Sequence, residues 1–199
     1  MTQITKNTNQ AKGFSTIELI IVALIVSILA VIALPQIMNA RRLMRFSGVQ
    51  RQISATLREA RQEAMSQRTA ITVRYDDVNK RTIIYGGKFG VVGAAENKIV
   101  RFANEGLVDG DIVYGKPAGA SASALSDGSN VETLVGSIAE VKFQSDGAVL
   151  DAGNNPQNKA LFFYDVKNPT GQAFAVSVLG AGGRVKIWKY NAGTTGYVE

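Results

Sequence analysis

The sequence predicts an α+β fold: a long N-terminal membrane-spanning helix that continues into a helix packed on antiparallel β-sheets. Three observations predict it. From Leu19 to Leu34 the only polar side chain is Ser27. Beyond Pro35 apolar residues recur every three or four positions, and from Ala70 the period switches to two. Glycine follows the same division, since 18 of the 20 lie at or after Gly86, which marks a helical first third and a turn-rich remainder. The 199 residues suit one globular domain plus an anchor. Four segments follow: residues 1–13, 14–35, 36–69 and 70–199.

Residues 1–13 are polar, carry Lys6 and Lys12 and hold no acid, which reads as a leader to be kept out of the fold. Phe14 to Leu34 is 21 residues, about 31 Å as a helix at roughly 1.5 Å per residue, which matches a hydrocarbon core of roughly 30 Å. Glu18 interrupts this run in its first turn, where a carboxylate costs at least a few kcal/mol unless something neutralises it. Cleavage between Gly13 and Phe14 would supply the neutralising group, because the new α-amino group lies one helical turn from Glu18. Between stacked chains the amine of one subunit would meet the acid of the next and set their register. An ordinary signal anchor, with Glu18 at the headgroup boundary, is the bland alternative. A secretory signal cut after Val31-Ile32-Ala33 is a poorer account, since it leaves Glu18 unexplained. Charge counting does not fix topology: Lys6 and Lys12 flank one end, and Arg41, Arg42, Arg45 and Arg51 the other.

After Pro35, expected to bend the helix as it leaves the membrane, the residues Phe46, Val49, Ile53, Leu57, Ala60 and Ala64 form one apolar stripe. Arg51, Gln52, Arg58, Glu59, Arg61 and Glu63 form the solvated face between them. Ile71–Tyr75 and Thr82–Tyr85, joined by Asp76-Asp77-Val78-Asn79-Lys80, read as a hairpin. Further strands are expected at Lys98–Phe102, Asp111–Tyr114, Val131–Val135, Ala139–Gln144, Ala148–Leu150, Ala160–Val166, Ala173–Leu179 and Arg184–Tyr190. Residues 115–130 are poor in bulky apolar groups and read as a surface loop.

The net charge is +6, and losing the two leader lysines would bring it to +4. That is mild for a dedicated nucleic-acid protein. With no cysteine and no histidine there is no disulfide framework, thiolate zinc site, cysteine nucleophile or histidine base. Asp151-Ala152-Gly153-Asn154-Asn155-Pro156 offers oxygen ligands with a single carboxylate, spaced as a turn rather than a calcium site. Asp76 and Asp77 also sit in a turn. Gly86, Gly87 and Gly90 lack the Lys-Ser/Thr of a phosphate loop. No enzyme, metal or cofactor is expected.

Gly-Phe-Ser-Thr-Ile-Glu-Leu at 13–19, followed by the apolar run and Pro35, resembles the type III signal of the type IV pilin and pseudopilin superfamily. Three further stretches resemble its GspH/FimT branch of minor pilins and pseudopilins: Leu57–Ala64, Val141–Gly147, and Gly183-Arg184-Val185-Lys186. The resemblance implies a pilin-like fold, cleavage at Gly13/Phe14 by a prepilin peptidase in the cytoplasm, N-methylation of Phe14, and filament assembly through Glu18. It implies a single-pass protein of the bacterial inner membrane with its head in the periplasm. Its partners would be other pilins or pseudopilins, the peptidase/methyltransferase and the inner-membrane assembly platform. The filament would be a type II secretion pseudopilus or a type IV pilus. Some FimT-like members bind DNA through a Gly-Arg-x-Arg tail. Here strand alternation puts Arg184, Lys186 and Trp188 on one face, two cations and an aromatic that would suit phosphates and a stacked base. Lys186 replaces the second arginine and loses its planar fork. A solvent-facing strand side is the simpler reading.

Overall fold

A computed structural model describes residues 14–91, 98–101, 111–120, 125–151 and 153–199. The chain divides into two units, the first ending at Arg41 and the second running from Arg42 to Glu199. One helix, α1 (Thr16–Gln67), runs through both and contains Pro35.

In the first unit every described residue from Phe14 to Arg41 is exposed. In the second, α1 buries Phe46, Val49, Ile53, Leu57, Ala60 and Ala64, the stripe that its 3.6-residue period predicts, together with Ser54 and Thr56. The helix ends where Arg68 turns to φ 52 and the Thr69 N–H bonds the Ala64 carbonyl, a terminus in which the left-handed residue is usually glycine.

The strands are β1 (Ile71–Asp76), β2 (Arg81–Tyr85), β3 (Lys98–Arg101), β4 (Ile112–Tyr114), β5 (Asn130–Val131), β6 (Ile138–Phe143), β7 (Lys159–Asp165), β8 (Ala173–Val178), β9 (Val185–Asn191) and β10 (Gly196–Val198). They form one sheet of order β3-β2-β1-β6 and another of order β10-β9-β8-β7-β4, with β5 beside β7. All pairings are antiparallel except β5 with β7, which is parallel. In the first sheet Val73 faces Ile84 on one side and Val141 on the other. The α1 stripe packs in one core with Ile71, Val73, Tyr75, Val141, Phe143, Phe163, Phe174 and Val176. Phe46 meets Phe174 edge-on at 5.1 Å.

Strand β8 is buried along its whole length, because the second sheet is covered on both faces. Phe174, Val176 and Val178 join the core under α1. Ala175 joins a second cluster with Leu125, Ala160, Phe162 and Trp188.

Several expected strands differ. Val131–Val135 is a strand only at its first residue, since Val135 closes a tight turn onto Ile138 with Ser137 at φ 64. Ala148–Leu150 forms isolated bridges instead of a strand: the Val149 N–H bonds the Gly180 carbonyl, and Leu150 pairs with Pro156. Beyond Arg184–Tyr190, the last strand expected, the tail contains β10. Gly13, Lys6 and Lys12, Phe102 and part of the 115–130 loop lie outside the described residues.

Candidate functional site

Two regions carry the sequence-predicted site residues. At the amino end Phe14 is 84% exposed and α1 begins two residues later. The Ser15 carbonyl accepts the N–H groups of Glu18 at 3.1 Å and Leu19 at 3.2 Å, closing the first turn. Glu18 is the third helical residue, where a negative charge answers the partial positive charge of unpaired amides. Beyond it the helix shows solvent a continuous apolar surface, including Ile20, Ile21, Leu24, Ile28 and Leu29, each more than half exposed. The one hydroxyl in this run is internally satisfied: Ser27 Oγ donates to the Ala23 carbonyl at 2.7 Å. This helix is long and apolar enough to cross a membrane. Pro35 lies within it, and having no N–H it leaves the Val31 carbonyl without its helical donor.

The second region is β9. Lys186 and Trp188 do share a face, with Lys186 Nζ 5.3 Å from the Trp188 ring centre. That face is not open, however. Trp188 is 2% exposed and its indole N–H donates to Ser177 Oγ at 2.8 Å. Ser177 Oγ in turn donates to Asp127 Oδ2 at 2.6 Å. Tyr197 of β10 packs against the same cluster, its ring edge-on to Phe162 at 5.0 Å. Lys186 is paired with Glu199 at 2.7 Å. Arg184, just before β9, is exposed. Of the three residues expected to form a phosphate-and-base face, only Arg184 therefore stands in solvent, and it has no carboxylate partner among the described residues. Trp188 cannot stack a base, because its ring is buried in the cluster of Leu125, Ala160, Phe162 and Ala175, against which the Tyr197 side chain packs. The two apolar residues of the tail, Tyr197 and Val198, were too short a signal to reveal that cover.

The three GspH/FimT-like stretches, far apart in sequence, meet. Gly147 (φ 82) and Gly183 (φ 59) both adopt left-handed backbone, and a β-carbon on Gly183 would lie 1.8 Å from the Gly147 carbonyl oxygen. Only glycine fits there. Arg61 lies over both: its Nε would be 2.9 Å from that β-carbon and 3.2 Å from one on Gly147. Arg61 had been assigned to the solvated face of α1, and no spacing rule links it to the two glycines.

Ion pairs fasten the second unit. Arg42 bonds Asp165 and, at 3.2 Å, Asp111. Burial pushes the Asp165 carboxyl up, but the Arg42 guanidinium and the Lys167 and Asn168 amides outweigh it and hold the group below its usual range. On α1 the presumed solvated acids are both engaged, Glu59 with Lys98 and Glu63 with Lys88. A cleft of about 410 Å³ opens beside Arg74, Glu140, Glu132 and Lys159, but its charges are already paired with one another. Among the described residues no group of three or more His, Cys, Asp or Glu side chains is arranged to hold a metal ion. Asp151 instead accepts the Asn155 N–H and closes a turn.

No protein-family model and no curated protein matches the chain. Among solved structures, the type IV minor pilin FimU of Pseudomonas aeruginosa is similar at 17% identity and a TM-score of 0.43, over 71% of this chain and 87% of FimU. A second crystal form of FimU gives the same identity and score over 90% of its length.

Proposed function

We propose that this chain is a minor pilin or pseudopilin, a structural subunit of a type II secretion pseudopilus or a type IV pilus. It is made as a precursor anchored in the bacterial inner membrane with its head in the periplasm. A prepilin peptidase removes residues 1–13 after Gly13, and Phe14 is N-methylated. The assembly platform then passes the subunit into a filament held by α1. The chain is a substrate of these enzymes rather than a catalyst.

One observation carries this reading: α1 from Phe14 to Arg41 buries none of its apolar surface within the chain, and the only acid on it lies one turn from Phe14. A membrane accounts for the apolar surface but not for the acid. In a bundle of such helices the Phe14 amine of one subunit neutralises the Glu18 carboxylate of its neighbour. In a low-dielectric surround that contact is both strong and specific in register. Apolar packing alone, being non-directional, leaves helices free to slide.

N-terminal mass spectrometry of the membrane-extracted mature protein tests the processing step. The expected first residue is N-methylphenylalanine at position 14, and retention of residues 1–13 overturns it. DNA capture through the β9 region is the weaker reading, since Lys186 is paired and Trp188 is buried. A mobility-shift titration of the full chain in detergent decides it: salt-sensitive binding lost in Arg184→Ala supports capture, and no binding at low salt removes it.

A further inference from the structure

Three motif stretches, one of them in the distal part of α1, come together at the side chain of Arg61, and among the described residues that side chain has no counter-charge. Arg61 is half-buried, its Nε is buried, and that nitrogen has no hydrogen-bond partner among the described residues. Other half-buried cations of the second unit are compensated. Arg42, Arg74, Lys80, Arg81, Lys159 and Lys186 each hold a carboxylate. Lys116 lies over the Phe162 ring at 4.9 Å. Arg61 has neither, and a guanidinium cannot escape the cost of desolvation by shedding its proton. Its flank is bare backbone, because Gly147 and Gly183 offer no side chain to cover it. Of the acids on these stretches, Glu59 and Glu63 are paired with Lys98 and Lys88, and Asp146 is exposed, accepts the Ala148 N–H and forms no ion pair with Arg61.

We infer that Arg61 is held for a carboxylate supplied by another subunit, an Asp or Glu side chain gripped by the planar guanidinium between the two glycine turns. The inference rests on the assembly reading above for the source of that acid. A carboxylate fits better than a nucleic-acid backbone. One fork matches one carboxylate in two parallel hydrogen bonds. A phosphate chain brings many charges and needs a run of cations; Arg58, Lys142 and Arg184 are exposed on these stretches, but the Asp146 carboxylate among them opposes a polyanion more than a single carboxylate.

The test uses the full chain in detergent micelles, with blocked glutamate (N-acetyl, N-methylamide) as the probe and blocked glutamine as its neutral twin. Burial shields the Arg61 Nε–H from exchange with water, so it gives an observable NMR signal. Blocked glutamate is expected to shift that signal, and the Gly147 and Gly183 amides, along a saturating curve. Half-saturation should come at a concentration at least about fivefold lower than for the exposed Arg58. Arg61→Lys, which keeps the charge and loses the fork, should weaken the response at the two glycine amides at least about fivefold. A linear response equal to that of Arg58, an equal response to glutamine, or an unchanged response in Arg61→Lys overturns the inference. Saturation by a short single-stranded oligonucleotide at lower concentration than glutamate overturns it in favour of phosphate. The assay needs no filament, so a chain that binds glutamate yet never enters a fibre refutes the assembly reading and leaves this site standing.

Discussion

The two halves of α1 have the same backbone and opposite fates. From Arg42 onward the helix hides a narrow stripe, with Val49, Leu57, Ala60 and Ala64 fully buried, and shows charge elsewhere. From Phe14 to Arg41 it hides nothing, and its apolar residues run all the way round. A helix with one apolar face finds its partner inside its own chain. A helix apolar on every side needs its partners, lipid or protein, from outside. The difference separates what each half contributes: the distal half to the stability of the head, the proximal half, on the function proposed above, to assembly.

The sharpest way to break that comparison is Glu18→Gln. Incorporation into sheared filaments, read by immunoblot, should fall at least about tenfold if the proposed Phe14–Glu18 contact forms, because removing one member of a buried ion pair costs about 3–5 kcal/mol. The denaturation midpoint of the head should not move. Fibres carrying this subunit at wild-type levels would overturn the assembly reading.

Next come Leu57→Ala and Leu29→Ala, the same substitution in the two halves. Leu57→Ala should cost about 2–5 kcal/mol of head stability in urea titration, whereas Leu29→Ala should leave it unchanged within about 0.5 kcal/mol. Comparable losses from both would mean that the proximal half does pack within the chain. Within the head, Gly183→Ala meets the Gly147 carbonyl and should cost about 3 kcal/mol or more. Gly182→Ala, which points into open space, should change stability by about 0.5 kcal/mol or less.

The smallest effect is the dependence on acid. Because the folded state holds Asp165 below its unfolded value of about 3.9, its contribution is complete above that pH. It is lost as pH falls through the folded value. Asp165→Asn should therefore lower stability by about 1–3 kcal/mol at pH 7, and flatten the loss that the parent chain shows between about pH 5 and pH 2.

Period made much of this fold legible in the sequence. The α1 stripe was readable because six residues repeat at helical spacing, and β1 and β2 because Ile71, Val73 and Tyr75 alternate ahead of a turn. What could not be read depends on neighbours far off in sequence. Trp188 looked like an outward-facing aromatic because nothing local shows that Leu125 joins it and Tyr197 packs against the same cluster. Glu59 and Glu63 looked solvated because Lys98 and Lys88 lie 39 and 25 residues away. Of the candidate sites, Phe14 and Glu18 stood out in the sequence as a motif with a charge that apolar surroundings do not tolerate, and their role rests on the function proposed above. Arg61 was not, because its distinguishing property is a missing counter-charge, which spacing cannot reveal.

Trp188, the chain's one tryptophan, also serves as a natural fluorescent reporter. Its indole is shut in on the face of the second sheet away from α1, and the anchor segment contains no tryptophan. Emission excited at the indole band therefore follows the opening of the head alone, undisturbed by detergent or lipid around Phe14 to Arg41. A red shift marks the moment when β10 lifts or the second sheet unravels, so the two halves of this molecule can be followed separately without attaching a dye.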